Sequence, residues 1–179
     1  MLRRGNIKTT MTQSGSRIGA ARLTRLAVVL WLSATSGAYS QGATPFGRLA
    51  GQWSGKGTIE LSDGTREPIR CRAVYDVLEA QKNLQLSIRC ASESYSFELL
   101  SSVIYASGAV TGTWTETTRN MGGTITGKAS GDNFHVTAVS PAFTAGLTLT
   151  THGDRQSVVI QPEDPHASVK RAAFSLQRN

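Results

Sequence analysis

Residues 69–90 read IRCRAVYDVLEAQKNLQLSIRC, and this stretch decides the fold. Apolar and polar side chains alternate in both halves, which is the period of a β-strand with one buried face. A turn through residues 79–82 pairs the halves so that paired residue numbers sum to 161, with Val77 opposite Leu84 and Cys71 opposite Cys90. A slip of one residue would turn the whole apolar set out to water. The pattern therefore specifies this register strongly.

The same register brings the only two cysteines of the chain together on the buried face. Directly opposed strand residues have Cβ atoms about 4.5–5.5 Å apart, slightly beyond the Cβ separation in a disulfide. The alternatives are two buried free thiols or a metal pair, but the sequence contains no CxxC motif or His/Cys cluster that would complete a metal site. We therefore expect a disulfide between Cys71 and Cys90, which requires an oxidising compartment.

The N-terminal segment independently indicates export. An apolar run, LAVVLWLSAT, begins at Leu26, follows Arg22 and Arg25, and precedes small residues, which is typical of a secretory signal peptide. The run is shorter than the roughly 20 apolar residues of a membrane-spanning helix. The sequence thus predicts a signal peptide over residues 1–40, no transmembrane segment after its removal, and a mature protein in the periplasm or outside the cell.

Removing this segment changes the charge of the protein. The full chain of 179 residues has a formal net charge of +7, but the first 40 residues hold six basic residues and no acidic ones. The remaining 139 residues carry 13 basic and 12 acidic side chains, a net charge of about +1. Net charge therefore gives no reason to expect nucleic acid or an anionic membrane as a partner.

Turn residues divide the mature chain into about ten short strands with no amphipathic helix. We expect a flexible lead over residues 41–48 and a single β-barrel domain over residues 49–179. The fold class is all-β, an antiparallel up-and-down meander closed or nearly closed into a barrel of about 8–10 strands, with a β-sandwich as the alternative. Inward glycines are expected where strands curve strongly. The predicted strands are 49–61, 66–78, 83–90, 95–105, 109–118, 123–131, 133–139, 143–151, 156–161 and 168–177, and the glycines are Gly55, Gly57, Gly112 and Gly127.

The start of the first predicted strand resembles a known family. Gly51-Gln52-Trp53 resembles the G-x-W motif that opens the barrel of lipocalins and the wider calycin group. In that group the tryptophan closes one end of the barrel and packs under an arginine near the end of the last strand, a place that Arg178 can take here. The resemblance implies an internal cavity for a small apolar molecule and implies no catalysis. The chain is also similar to uncharacterised secreted bacterial proteins with a cysteine-bearing hairpin, a likeness that carries no function.

Inward-facing apolar side chains are the candidate ligand-binding residues. They either line a pocket or fill it, because an eight-stranded barrel is just wide enough to be packed by its own side chains. A count of ten strands favours a cavity. The set comprises Trp53, Tyr75, Leu86, Ile88, Phe97, Trp114 and Phe134, with Trp53 and Arg178 as the barrel-closure pair.

No arrangement of polar residues points to an enzyme. His135, His152 and His166 stand at no recognisable metal-ligand or triad spacing, and solvated or half-buried roles are the ordinary interpretation. Glu98 and Glu116 can be considered as an acid and base, but we expect both to be exposed strand carboxylates. We therefore predict no catalytic residue, no metal site, no cofactor and no enzymatic activity.

The sequence leaves two functional hypotheses. The first is a periplasmic or secreted binding module whose partner is a small hydrophobic molecule. The second is a structural or protein-interaction domain of the bacterial cell envelope, with outward threonines as its working face: Thr111, Thr113, Thr115 and Thr117. Alternatively, these threonines are ordinary solvent-facing strand residues. The sequence does not indicate the oligomeric state.

Overall fold

A computed structural model of the chain describes residues 44–78 and 82–179. The predicted signal peptide and most of the predicted turn at residues 79–82 lie outside the described residues. Within those residues no helix is long and apolar enough to cross a membrane.

Ten antiparallel strands follow one another along the described chain. Each strand pairs with the next, and the first pairs with the last, so the sheet closes into a barrel. The prediction of an all-β up-and-down barrel is confirmed, and closure excludes the β-sandwich. A 3-10 helix, Pro45–Arg48, precedes the strands, which are β1 (Gly51–Leu61), β2 (Arg66–Leu78), β3 (Asn83–Ala91), β4 (Ser96–Ala106), β5 (Ala109–Glu116), β6 (Met121–Ser130), β7 (Asn133–Val139), β8 (Thr144–His152), β9 (Arg155–Pro162) and β10 (Val169–Arg178).

The β2–β3 hairpin has the register that the alternation predicts. Val77 lies opposite Leu84, and Cys71 lies opposite Cys90. The two cysteines form a disulfide with an S–S distance of 2.07 Å, and both are buried. The hairpin therefore presents one apolar face to the core and cross-links its two strands on that face.

Closure of the ring is made by β1 and β10. Trp53 lies opposite Arg178, and Gly57 lies opposite Phe174. The register shifts once, between Glu60 and Leu61, where the ladder contains an irregularity. Because every strand in the ring has two neighbours, the unpaired backbone edges of an open sheet are removed.

Glycines in the barrel wall mark places where neighbouring strands come very close. A Cβ added at Gly57 would lie 2.0 Å from the carbonyl oxygen of Ala173, and one added at Gly127 would lie 2.2 Å from that of His135. No side chain fits at such a distance from backbone. The expectation of inward glycines in strongly curved strands is confirmed at both positions.

The barrel has two different ends. At the end where β1 begins and β10 finishes, Pro45–Arg48 forms a 3-10 helix whose Phe46 is 1% exposed. We call this the plugged end, and the end that carries the β1–β2, β3–β4, β5–β6, β7–β8 and β9–β10 turns the open end. Within the described part of the predicted lead, Phe46 buries apolar surface against the barrel core, as Leu49 does immediately after it.

We predict that the disulfide contributes measurably to stability. The bridge links residues 19 apart in sequence, and closing a loop of that size contributes about 3 kcal/mol in the chain-entropy description. The double variant Cys71→Ala/Cys90→Ala should lose about that free energy of unfolding in urea titrations. Ser87→Ala, on the outer face of β3, serves as the control and should change it by less than about 0.5 kcal/mol. A loss below about 1 kcal/mol in the double variant would contradict the assignment.

We also predict that two glycine substitutions in the barrel wall behave differently. Gly127→Ala places a methyl group against the backbone of His135 and should cost about 2 kcal/mol or more. Gly146→Ala is the matched control, because its added Cβ meets only the Gln161 carbonyl oxygen at 3.9 Å. Thermal unfolding measures both variants. Equal melting temperatures for the two would show that the close approach at Gly127 is not a packing constraint.

Candidate functional site

Trp53 seals the barrel interior at the plugged end. Its side chain has no exposed surface, and its indole Nε1 donates a hydrogen bond of 2.7 Å to the carbonyl oxygen of Leu49. The guanidinium carbon of Arg178 lies 4.3 Å from the centroid of the indole ring, a cation–π contact. The structure therefore brings together the two residues of the predicted barrel-closure pair.

Arg178 joins three parts of the chain at this end. Its Nε donates to Oδ1 of Asp154 at 2.9 Å, in the β8–β9 turn. Its Nη2 donates to the carbonyl oxygen of Arg48 at 2.7 Å, and its Nη1 donates to that of Ala50. A planar guanidinium with donors on every side makes these contacts at once, which an ammonium group would not reproduce. Arg178 thus ties the last strand to the N-terminal plug.

Phe46 fills the space beside Trp53 and engages one of the candidate ligand-binding residues. Its ring stacks on Phe134, with centroids 6.0 Å apart and planes at 7°, and meets the edge of Tyr105 at 6.0 Å. Arg48 anchors the same helix by donating to both carboxylate oxygens of Asp132, at 2.7 and 2.9 Å. The face of Phe134 is therefore covered by the protein itself. Sequence reasoning missed Phe46 and Arg48 because they precede the first strand pattern.

A buried polar network crosses the interior below the plug. Tyr75 donates a hydrogen bond of 2.7 Å from its hydroxyl to Oε1 of Gln156, whose Nε2 lies 3.5 Å from Oγ1 of Thr151. Burial raises the pKa of Tyr75 well above its usual value, and the bond to Gln156 offsets this only in part. Tyr75 is therefore a neutral hydrogen-bond donor at every physiological pH. The network lies near the plugged end and uses the hydroxyl of Tyr75 in an internal hydrogen bond.

Trp114 is a buried aromatic residue in the half of the barrel towards the open end. It is 3% exposed and lies between Ser101 of β4 and Gly123 of β6 in the strand pairing. The ring of Phe143 covers it, with centroids 5.4 Å apart. Its indole Nε1 is buried and has no hydrogen-bond partner among the described residues. A buried donor without a partner costs about 1–3 kcal/mol.

The rim of the open end is apolar and only partly buried. Tyr95 and Phe97 contact each other edge to face, with centroids 6.5 Å apart. Arg119 lies over the Tyr95 ring at 4.4 Å and donates from Nη1 to the carbonyl oxygen of Ser96 at 3.0 Å. The partly buried apolar side chains that pack on the core at this end are Leu61, Tyr95, Phe97, Leu99, Met121, Ala138, Phe143, Ile160 and Val169. Unlike Trp53 and Phe46, these residues retain accessible apolar surface.

The seven candidate ligand-binding residues thus separate into two groups. Trp53, Tyr75 and Phe134 lie in the plugged half, where the protein's own contacts use their surfaces. The other four are Leu86 and Ile88 on β3, Phe97 on β4 and Trp114 on β5, which lie at mid-height or towards the open end. Within this second group Leu86 and Phe97 are partly buried, and Ile88 and Trp114 are buried.

The position of Glu116 differs from the exposed position that the sequence analysis predicted. It is 6% exposed and faces inward opposite Leu99, whereas Glu98 points outward and pairs with Arg89 at 2.7 Å. Burial raises the pKa of Glu116, but the Thr118 hydroxyl and the backbone amides of Glu98, Thr118 and Arg119 donate to its carboxylate and together hold the pKa below its usual range. The expectation that Glu116 is exposed was wrong. The carboxylate caps the β5–β6 turn, and it does not share a site with the carboxylate of Glu98.

The remaining polar candidates lie apart from the interior. His135, His152 and His166 are exposed, and a Thr148 hydroxyl 3.4 Å from Nδ1 is the contact that His135 makes. Among the described residues no three His, Cys, Asp or Glu side chains form a group that could hold a metal ion.

Comparison with known proteins supports the fold and leaves the function open. No protein-family model and no curated protein matches the sequence. Among solved structures, the barrel is similar to Rv2717c from M. tuberculosis, with a TM-score of 0.61 and 13% identity over 74% of this chain and 93% of that one. It is also similar to the S-type phycobiliprotein lyase CPES from Guillardia theta, with a TM-score of 0.54 and 12% identity over 75% of this chain and 90% of that one. At these identities the likeness establishes the barrel, while membership of the lipocalin and calycin group stays a resemblance.

We predict that the plug is held mainly by apolar burial. Phe46→Ala removes a ring that is 1% exposed and should reduce the free energy of unfolding by about 3 kcal/mol. Arg48→Ala is the matched control on the same helix, because it removes an ion pair whose arginine is 69% exposed and should cost less than about 1 kcal/mol. Urea unfolding measures both variants. If the arginine variant loses more stability than the phenylalanine variant, the ion pair rather than the ring holds the plug.

Proposed function

We propose that the protein is an exported, non-enzymatic binding protein that holds a small hydrophobic molecule in the open half of its barrel. The difference between the two ends of the barrel carries this proposal. At the plugged end Phe134, Trp53 and Tyr75 are engaged by Phe46, Arg178 and Gln156, while Val77 and Tyr105 stay partly accessible. At the open end, apolar side chains retain accessible surface around a buried tryptophan.

The chemistry of the open half fits such a ligand. Binding pockets for small molecules are mostly apolar and contain a few polar groups that fix orientation. Leu99, Met121 and Phe143 supply apolar surface, and the indole N–H of Trp114 supplies one donor without a partner. Phe143, whose ring packs on Trp114 with centroids 5.4 Å apart, lies in the turn between β7 and β8. The preferred ligand is therefore an apolar molecule with a hydrogen-bond acceptor.

The proposal does not include catalysis. The described histidines are exposed, and Glu116 accepts hydrogen bonds from three donors of its own turn and from the backbone amide of Glu98 on β4. One similar structure is a phycobiliprotein lyase by name, but at 12% identity no residue role transfers from it.

Export to the periplasm or out of the cell belongs to the same proposal. The Cys71–Cys90 disulfide supports it, because disulfides persist in oxidising compartments. The apolar run that begins at Leu26 supports it as well.

A second candidate function is that of a protein-interaction domain. Four apolar residues point outward from β2 and β4 and keep much of their surface exposed: Val74 at 38%, Leu78 at 45%, Leu100 at 44% and Ile104 at 52%. Such a patch can receive another protein. It lies on the outer face, so a function based on it would not depend on the barrel interior.

The experiment that separates the two candidate functions places a larger side chain in the open half of the barrel. Ala138 faces inward near the end of β7, opposite Ile125 and Ala145, and is partly buried. We expect Ala138→Phe to fold and to bind the neutral apolar dye Nile red at least about tenfold more weakly, because the new ring occupies the space for the ligand. Dye fluorescence gives the affinity, and a rise in melting temperature with members of a fatty-acid, quinone and haem panel identifies the ligand class.

Thr137→Phe is the matched control, because the neighbouring side chain points to the outer face. It should leave dye binding unchanged. If the wild-type protein binds neither the dye nor any member of the panel, and Ala138→Phe instead loses about 1–3 kcal/mol as an overpacked core does, the barrel is solid and the binding function is refuted.

A further inference from the structure

A groove of about 740 Å³ crosses the outer face of β1, β2, β3 and β4. Its floor follows one row of paired residues, Gly55, Cys71, Cys90 and Phe97, whose side chains point inward and leave backbone on the outside. The rows on either side point outward and form its walls. The groove is therefore a product of strand pairing, and it is separate from the barrel interior.

The walls of the groove are strongly basic. Arg72 and Arg89 stand on one wall, and Lys56 and Arg70 stand on the other, all four exposed. The acidic residue of the lining is Glu98, which pairs with Arg89 at 2.7 Å. No described carboxylate forms an ion pair with Lys56, Arg70 or Arg72. With four cations and one carboxylate, the lining carries a net charge of +3. This exceeds the net charge of about +1 for the whole of residues 41–179.

The strand register forces these like charges together. Arg72 lies directly opposite Arg89, and Lys56 lies directly opposite Arg70. Like charges in directly opposed positions destabilise a sheet, and an anion bound between them would offset that cost. The disulfide under the floor holds β2 and β3 in register, which fixes the spacing of the two arginine-bearing strands.

We propose that this groove is a binding site for a phosphate-bearing ligand with at least two negative charges. Guanidinium groups recognise phosphate oxygens through paired hydrogen bonds, and three of the four cations here are arginines. The charged side chains flank the floor on both sides, where their attractions for an anion add. The phosphate groups come either from a soluble molecule or from a lipid headgroup, and both present the same oxygens to the groove.

The test uses inorganic pyrophosphate as a soluble probe on the exported chain at low ionic strength. Isothermal titration should show binding by the wild-type protein that weakens as salt rises, because the contacts are exposed charges. Arg70→Gln/Arg72→Gln should weaken it at least about tenfold. The double variant should be at least as stable as the wild type without probe, because it relieves repulsion between opposed cations.

Lys128→Gln/Arg155→Gln is the matched control, because it removes two exposed cations from β6 and β9, outside the groove lining. It should change the affinity by less than about twofold. Absence of binding to the wild type, or an equal loss in both double variants, would overturn the assignment for soluble phosphate.

Vesicles with and without phosphatidylglycerol distinguish the source of the phosphate. If the wild type binds only the anionic vesicles, and Arg70→Gln/Arg72→Gln alone abolishes this, the groove receives a lipid headgroup. If neither pyrophosphate nor vesicles bind, the site is refuted. Neither result depends on ligand binding inside the barrel, since the dye experiment with Ala138→Phe tests that separately.

Discussion

Pairing between the first and the last strand is the constraint on which the rest of the structure depends. It places Trp53 opposite Arg178 and removes both free edges of the sheet. It also requires strong curvature, which brings the backbone of β10 to within 2.0 Å of where a side chain at Gly57 would lie. A ring closed in this way has a defined inside, and only then do the alternate residues of all ten strands share one core.

Closure also makes the two ends of the barrel chemically different. The chain enters next to the point where it finishes, so the segment before β1 lies over the end where Arg178 emerges. Phe46 and Leu49 then bury their surface in that end, and Arg178 holds the segment by its carbonyl groups. The opposite end has no such segment among the described residues, and its rim keeps accessible apolar surface around Trp114.

The outer face has an organisation of its own. Strand pairing brings Arg72 beside Arg89 and Lys56 beside Arg70, over a floor that the disulfide stiffens from below. Two potential sites thus share the β2–β3 hairpin, an apolar one inside and a basic one outside. Alternation along a strand lets one hairpin supply both, because successive side chains face opposite sides of the sheet.

Several features escaped sequence analysis for identifiable reasons. The Phe46 plug precedes the first alternating segment, and a single aromatic residue in a polar stretch has no periodicity to reveal it. Glu116 was misplaced because a carboxylate at the end of a strand resembles a solvent-facing residue until donors from the next turn and from the neighbouring strand β4 surround it. The basic groove was overlooked because only the net charge near zero was considered, although the predicted β2–β3 register already sets Arg72 opposite Arg89.

The sequence by itself determined the strands, the inward face of each, the β2–β3 register and the Cys71–Cys90 bridge. These features depend on period-two alternation and on residues close together in the chain, where burial permits a single register. Tertiary structure alone decided which end is plugged and which side chains meet across the barrel, as Tyr75 meets Gln156 and Phe46 meets Phe134. Those features join residues up to 130 positions apart, as Arg178 and Arg48 are. Contacts over such distances arise from closure of the ring, which no local pattern encodes.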